Sequence, residues 1–269
     1  MTGQDPAVVR IDTSKPHPAR MYDWFLGGKD NYPVDEEMAR QLLQVDARGR
    51  DMARVNRAYM HRATRWLAGR GVRQFLDIGT GIPTEPNLHQ IAQGAAPAAR
   101  VVYCDNDPIV LAHAAALLRS TPEGATEYIQ ADAREPEEIL ERAGKVLDFS
   151  RPVALSMLAL LHFLDDEDGA YEIIARLLDR LPGGSYLVLS QVTGDFDPEG
   201  AERARGMYKA RGMTLRPRSR AEFVRFFEGL ELAEPGVSLT QEWHPELGER
   251  VPVQGDEPIP GYAGVARKP

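Results

Sequence analysis

The apolar residues of this chain recur at helical spacing up to about residue 68 and in short blocks from residue 73 onward. In the first part, a 3.6-residue repeat predicts a helix over Asp51–Ala68 with one buried face. That face consists of Val55, Ala58, Tyr59, Ala63, Trp66 and Leu67. Shorter helices are predicted over Ala19–Leu26 and Asp35–Val45. We therefore expect residues 1–70 to form an N-terminal arm with helices, packed on the core either as a lid or as a fixed arm.

From residue 73, short apolar blocks alternate with amphipathic stretches. The predicted strands are Phe75–Ile78, Val101–Cys104, Thr126–Gln130, Val153–Met157 and Tyr186–Ser190. The helices predicted between them are Pro86–Ala95, Ile109–Leu118, Pro136–Val146 and Ala170–Leu181. Such alternation is typical of parallel strands joined by right-handed helical crossovers. The fold class expected for residues 71–269 is therefore α/β, with a Rossmann-like doubly wound sheet.

The C-terminal part departs from this alternation. Helices are predicted over Pro198–Arg211 and Ser219–Glu228, the second with capping-box spacing at its start. Two further strands are predicted over Leu230–Trp243 and Tyr262–Arg267, joined by the Pro- and Gly-rich loop Val251–Gly261. A pair of this kind is expected as a hairpin at the sheet edge.

Composition excludes several classes of protein. The 269 residues fit one large domain, and a net charge of −8 argues against broad binding to nucleic acid. Cys104 is the only cysteine, and no Cys/His spacing indicates a metal site. The longest apolar run, Val153–Leu161, is too short to span a bilayer, and no signal peptide is visible. A cytoplasmic protein is expected, whose oligomeric state the sequence leaves open.

A glycine-rich turn follows the first predicted strand. Asp77 lies at the carboxyl end of Phe75–Ile78, and Gly79, Thr80 and Gly81 come directly after it. Glycines allow the backbone to approach a ligand closely, and a helix start offers free N–H groups. The segment therefore predicts a nucleotide-type pocket, although a Gly-x-Gly turn alone is a weak signal.

Acidic residues end the next two strands. Asp105 is placed to accept hydrogen bonds from ribose hydroxyls, with Asn106 beside it. Asp107 precedes a proline and is better explained as a helix cap. Asp132, followed by Ala133, is placed to accept from an exocyclic amine such as that of adenine. An equally good alternative is that Asp132 begins the next helix or faces solvent.

The turn fits a dinucleotide poorly. The dinucleotide fingerprint requires a third glycine, where this chain has Thr84 or Glu85, and Asp105 lies further downstream than that fingerprint expects. An acid at position 77 would also repel a pyrophosphate. A nucleoside with a ribose, an adenine and a cationic amino-acid arm matches these charges better, and that description fits S-adenosylmethionine.

These residues resemble the class I S-adenosylmethionine-dependent methyltransferases. The segments that carry the likeness are Asp77–Gly81, Asp105, Ala131–Asp132 and Leu181–Leu189. More narrowly, the whole chain is similar to an actinobacterial methyltransferase-like family long catalogued as a domain of unknown function. That likeness rests on Asp12–Tyr22, Leu26–Asn31, Asp105–Pro108 and Tyr262–Lys268.

The resemblance implies a seven-stranded sheet with an antiparallel last strand and the cofactor at the ends of the first three strands. Pro83 departs from the class, which usually has glycine two places after Gly81. The catalytic residue is unknown, with His162 and Tyr22 as weak candidates. Tyr22 and Asn31, in the aromatic segment of the arm, are also expected to contact the cofactor.

Three functions follow from these expectations. The first is methyl transfer from S-adenosylmethionine to an unidentified acceptor, more plausibly a small molecule than a macromolecule. The second is a sensor that binds the same cofactor without turnover. The third is a nicotinamide-dependent oxidoreductase. The acid before the glycines, Asp77, and the spacing of the glycines argue against it.

Overall fold

Five parallel strands form the larger part of the sheet. The computed structural model describes residues 12–117 and 119–269. The parallel strands are β1 (Gln74–Ile78), β2 (Arg100–Asp105), β3 (Ala125–Gln130), β4 (Ala154–Leu158) and β5 (Tyr186–Val192). The C-terminal strands are antiparallel to them: β6 (Glu231–Leu232), β7 (Ser238–Leu239) and β8 (Gly261–Arg267). The strand order is β3-β2-β1-β4-β5-β8-β6, with β7 also paired to β8. The predicted mostly parallel sheet with an antiparallel last strand is confirmed.

Nine α-helices lie within the described residues. Three precede the sheet: α1 (Pro18–Leu26), α2 (Pro33–Val45) and α3 (Gly49–Gly69). Those within the alternating part are α4 (Leu88–Ala95), α5 (Pro108–Leu117), α6 (Pro136–Ala143) and α7 (Ala170–Asp179). Two more are α8 (Pro198–Lys209) and α9 (Arg220–Val224). Three single-turn 3₁₀ segments occur at Leu161–Phe163, Arg225–Phe227 and Pro245–Leu247.

Two predictions need correction at the level of the elements. The strand expected over Leu230–Trp243 is split into β6 and β7, because Pro235 has no N–H to donate and Gly236 turns the chain with a φ of 83°. The edge position of the sheet, beside β8, is therefore occupied by two short strands, which makes eight strands in total. The helix after the glycine turn begins at Leu88 rather than Pro86. There the side chains of Asn87 and Gln90 form a capping box.

The core has two layers because successive residues of a strand face opposite sides of the sheet. On one side, Phe75 packs with Tyr59 of α3 and Leu88 of α4. On the other side, Leu76 packs in the cluster that includes Ile139 of α6. Helices thus cover both faces of the sheet, as a doubly wound fold requires.

The N-terminal helices lie beside the carboxyl ends of the parallel strands. Helix α1 contacts α2 and α3, and a buried ion pair joins it to the end of β2. In that pair, Arg20 Nε donates to Asp107 Oδ2 over 2.8 Å. Across residues 12–117 and 119–269, no helix is both long and apolar enough to cross a lipid bilayer.

Candidate functional site

A cavity of about 550 Å³ opens at the carboxyl ends of the parallel strands and extends under the N-terminal helices. Its volume is within the range of small-molecule sites. Almost all of the residues predicted to bind cofactor or to take part in catalysis line it. They are Asp77, Gly79, Thr80, Gly81, Asp105, Asn106, Asp132, Ala133, Tyr22 and His162.

The glycine turn is shaped by its contacts with β2 and with the segment that follows β4. The backbone N–H groups of Gly79 and Thr80 both donate to the carbonyl of Cys104, at 2.8 and 3.2 Å. Gly79 and Gly81 have φ angles of 74° and 68°, which favour glycine. A Cβ at residue 79 would lie 2.7 Å from a methyl group of Leu160. A side chain at residue 79 would therefore require Leu160 to move, whereas residue 81 favours glycine only through its φ angle.

Asp77 is a buried acid without an ion-pair partner among the described residues. Its side chain accepts a hydrogen bond from the Thr80 hydroxyl over 2.8 Å. Burial raises the pKa of Asp77 to about 6, although the Thr80 bond and the charge of Arg57 act in the opposite direction. A cationic group in the cavity would favour the ionised carboxylate.

Asp105 joins the glycine turn to the loop after β2. Its Oδ2 accepts from the backbone N–H of Gly81 over 2.8 Å, and its Oδ1 accepts from that of Asp107 over 2.9 Å. Burial raises the pKa of Asp105, while these two bonds lower it. Because a carboxylate offers about four acceptor positions, it can still receive ribose hydroxyls.

Asp132 and Asn106 form the more exposed end of the cavity. Asn106 Nδ2 donates to Asp132 Oδ2 over 3.2 Å, which links the loops after β2 and β3. Asp132 also pairs with Arg134, whose Nη1 lies 3.1 Å from the same oxygen. Ala133 is buried beside them. Asp132 does not cap a helix, since α6 begins only at Pro136.

Arg57 of α3 also lines the cavity, and the sequence patterns did not identify it. Its Nη2 donates to the carbonyls of Thr84 and, over 3.0 Å, of Pro86, so it holds the turn that contains Pro83. Its Nε is buried without a hydrogen-bond partner among the described residues. Burial lowers the pKa of Arg57. The sequence contains no signal for Arg57, because its neighbours at helical spacing include Arg54 and His61.

The two weak catalytic candidates have different surroundings. The Tyr22 hydroxyl donates to the carbonyl of Ala53 and accepts from Asn56 Nδ2, both over 3.0 Å. Burial raises the pKa of Tyr22, which disfavours the ionised phenolate. His162 is 7% exposed, and burial lowers its pKa to about 3. Its buried Nδ1 has no partner in the part of the chain that the structure describes.

The structure does not bring Asn31 to the cavity. Its amide donates to Asp23 Oδ2 over 2.9 Å and to the carbonyl of Gly28 over 3.1 Å. Both amide hydrogens are thus used, one by α1 and one by the loop between α1 and α2. Asn31 is not among the residues that line the cavity, so contact with the cofactor stays a prediction, while its bonds shape the loop.

The site offers charged and hydrogen-bonding groups rather than metal ligands. Nowhere in residues 12–117 and 119–269 do three or more His, Cys, Asp or Glu side chains converge as ligands of a metal ion would. The arrangement can hold an amino-acid arm at Asp77 and Arg57 and a ribose at Asp105.

Comparisons with known proteins agree with this geometry. The sequence profile of the S-adenosyl methyltransferase family matches residues 4–269. A DUF574 family protein from Streptomyces avermitilis MA-4680 is 49% identical, with a TM-score of 0.91 over 97% of this chain and 100% of that one. A structure from Thermobifida fusca YX is 37% identical, with a TM-score of 0.86 over 96% of each chain. A search of curated protein sequences finds no match.

A more distant structure shows the fold alone. An S-adenosylmethionine-dependent methyltransferase from Anabaena variabilis ATCC 29413 has a TM-score of 0.52 at 14% identity, over 99% of this chain and 100% of that one. The profile match and the two closer structures cover nearly the whole chain, including the arm and the sheet edge. The chain belongs to the S-adenosyl methyltransferase family, whose cofactor is S-adenosylmethionine.

Proposed function

We propose that the protein transfers the methyl group of S-adenosylmethionine to a small-molecule acceptor held in the same cavity. The observation that supports this most strongly is a pair of opposite charges at the glycine turn. Asp77 is buried, Arg57 is partly buried with its Nε fully enclosed, and neither has an ion-pair partner among the described residues. Buried charges without partners are costly, so a ligand with both an ammonium and a carboxylate fits these residues well.

Each part of the cofactor has a matching group in the chain. Asp77 would bind the ammonium of the methionine arm, and Arg57 Nε would bind its carboxylate. Asp105 would accept from the ribose hydroxyls, and Asp132 from the adenine amine. A nicotinamide dinucleotide lacks the cationic amino group and carries a pyrophosphate that Asp77 would repel.

The protein's contribution to methyl transfer is alignment and exclusion of water. The cofactor supplies an already activated methyl group, so the chain has to orient the acceptor in line with it. The N-terminal helices roof the cavity, with Met21 and Tyr22 of α1 and Ala53 of α3 among its lining residues. A concave site of this size under the N-terminal helices suits a small acceptor better than a macromolecule.

Transfer of a labelled methyl group tests the proposal. The protein is incubated with methyl-labelled S-adenosylmethionine and a metabolite extract of its source cells, and small molecules are separated from macromolecules. We expect label in a small molecule, and much less with an Asp105→Asn variant. If the protein binds the cofactor but no molecule gains label, the non-catalytic sensor function is favoured instead.

Cofactor binding is expected to weaken as the pH falls through the pKa of Asp77. With that pKa at about 6, the carboxylate is mostly ionised at pH 7 and mostly neutral at pH 5. Affinity for S-adenosylhomocysteine, whose ammonium requires the ionised form, should therefore fall about tenfold over that range. Isothermal titration calorimetry measures the change. An Asp77→Asn variant should bind weakly with a flatter pH profile, and an equally steep profile would contradict the assignment.

Cofactor affinity should rise with pH, whereas the contribution of Asp77 to the stability of the ligand-free protein should fall as the pH rises. A raised pKa means that the fold favours the neutral acid. The contribution of Asp77 is therefore present at low pH and is lost as the pH rises through about 6. The loss should occur mainly between the usual carboxyl pKa of about 4 and the raised pKa of about 6, so thermal unfolding of the wild type and of Asp77→Asn, compared from about pH 4 to 7, isolates this contribution.

Replacing Arg57 by methionine should lower affinity for S-adenosylhomocysteine about 10- to 100-fold. Hydrogen bonds to charged groups contribute roughly 1.5–3 kcal/mol, and the variant also releases the turn carbonyls. Calorimetry measures the loss. The matched control is Arg54→Met on the same helix, whose guanidinium is half-exposed and pairs with Asp51. Equal affinities for the two variants would contradict a role for Arg57 in the site.

A further inference from the structure

Beyond the cofactor residues, the cavity continues into a chamber between α1, α3, α8 and the end of β5. Its walls are largely apolar and include three methionines and three aromatic rings. These are Met21, Met52, Met213, Phe25, Phe163 and Tyr208. Methionine side chains adapt to irregular shapes, and aromatic rings favour flat partners. The chamber therefore suits an apolar molecule with a ring.

The charged side chains at this chamber are already engaged. Arg48 bonds to Asp46 through Nη2 over 2.8 Å and to the carbonyl of Pro258 through Nη1 over 2.9 Å. Asp197 caps α8 by accepting from the N–H of Gly200 over 2.9 Å. The described charged residues of this part of the cavity therefore include no cationic side chain that is free to pair with an anionic acceptor.

Within this chamber, the described residues leave the buried Nδ1 of His162 without a hydrogen-bond partner. This histidine lies in the 3₁₀ turn after β4, is 93% buried, and makes no side-chain hydrogen bond to the described residues. Its ring stands edge-on to Phe163 at 4.3 Å, and Phe163 in turn neighbours Tyr208 at 5.9 Å. A neutral imidazole always has one acceptor nitrogen, and a buried one without a partner favours a ligand that supplies a donor.

We propose that the methyl acceptor is an uncharged, ring-bearing apolar molecule whose O–H or N–H donates a hydrogen bond to the imidazole of His162. This inference rests on the proposed methyl transfer and specifies its substrate class. The apolar walls bind the ring, and His162 fixes the direction of the nucleophile's lone pair toward the cofactor.

The transfer step balances with these groups. A lone pair on the acceptor oxygen or nitrogen forms the new bond to the methyl carbon, and the sulfur–methyl bond breaks with its electron pair passing to sulfur. The proton of the acceptor then passes to the bonded imidazole nitrogen. A weakly basic imidazole suffices for an O–H acceptor, because the methylated oxygen is cationic and strongly acidic until it loses that proton. From the imidazole the proton passes to water.

Three naphthalene probes test the substrate class on the wild-type protein saturated with S-adenosylhomocysteine. Their own fluorescence reports the binding of 2-naphthol, 2-naphthoate and naphthalene. We expect 2-naphthol to bind at least about tenfold more tightly than 2-naphthoate, because a buried carboxylate would lack a cation. Equal or tighter binding of 2-naphthoate, or no binding of any probe, would overturn the inference. If S-adenosylhomocysteine itself does not bind, the proposed function fails and the inference with it.

Variants of His162 separate a specific hydrogen bond from general packing. His162→Phe should lower the affinity for 2-naphthol about fivefold, which corresponds to the loss of one neutral hydrogen bond. The affinity for naphthalene should not change. His162→Asn keeps an acceptor oxygen and should retain most of the affinity for 2-naphthol. If either variant lowers the affinity for naphthalene as much as that for 2-naphthol, the imidazole ring of His162 has only a packing role and the inference is wrong.

Discussion

Replacing Asp105 by asparagine is expected to reduce the affinity for S-adenosylhomocysteine on the order of 100-fold. Two ribose hydroxyls lose a charged acceptor, and each such bond contributes roughly 1.5–3 kcal/mol. The substitution also changes the turn itself. Gly81 and Asp107 donate to different oxygens of Asp105, so one of the two N–H groups must face the new amide donor.

The unpaired N–H adds a cost in stability of about 1–3 kcal/mol, which thermal unfolding measures alongside the calorimetry. Asp148→Asn is the control, because Asp148 lies at the opposite end of the sheet, before β4, where it bonds to Ser150. A folded Asp105→Asn variant with unchanged affinity would show that the ribose is held elsewhere.

Breaking the ion pair between Arg20 and Asp107 is expected to have the largest effect on stability. The two side chains are 4% and 0% exposed, and the guanidinium holds both carboxylate oxygens, at 2.8 and 3.2 Å. Removing one partner leaves the other charge buried, which costs about 3–5 kcal/mol. Arg20→Met and Asp107→Asn should each lower the free energy of unfolding by an amount of that order.

A double-mutant cycle tests whether the pair acts as a unit. The combination of Arg20→Met with Asp107→Asn leaves neither charge buried, so its cost should be smaller than the sum of the two single costs by at least about 1 kcal/mol. The free energies of unfolding come from urea titration. Strictly additive costs would show that the pair does not couple α1 to the end of β2.

The same pair bears on the role of the N-terminal segment. We propose that residues 12–32 act as a cover of the cofactor site, closed by Arg20 on Asp107. Backbone amides of α1 should then exchange with deuterium faster in Arg20→Met than in the wild type. S-adenosylhomocysteine should slow that exchange in the wild type. Slow exchange in every form would favour a fixed arm.

The sequence predicted the part of the fold that depends on local periodicity. Short apolar blocks alternating with amphipathic stretches specify parallel strands with crossover helices, and every such strand is present. Asp77, Asp105 and Asp132 could be placed at one edge because parallel strands end on the same side. Their approach to one another follows from topology and needs no knowledge of side-chain packing.

The features that the sequence did not reveal depend on contacts between distant segments. Arg57 lies in a helix that precedes β1 and reaches the site only through the packing of α3 on the sheet. Asn31 looked like a ligand because it stands in an aromatic segment, but Asp23 and Gly28 take its amide hydrogens. The break between β6 and β7 depends on a turn at Pro235 that interrupts an apparently continuous apolar run.

A crystal structure of the protein with S-adenosylhomocysteine tests the central assignment most directly. We expect the carboxylate of the homocysteine arm at Arg57, its ammonium at Asp77 and the ribose at Asp105. The sulfur should face the chamber beside His162. Electron density that placed the ribose at Asp77, or turned the sulfur away from the chamber toward solvent, would contradict this assignment.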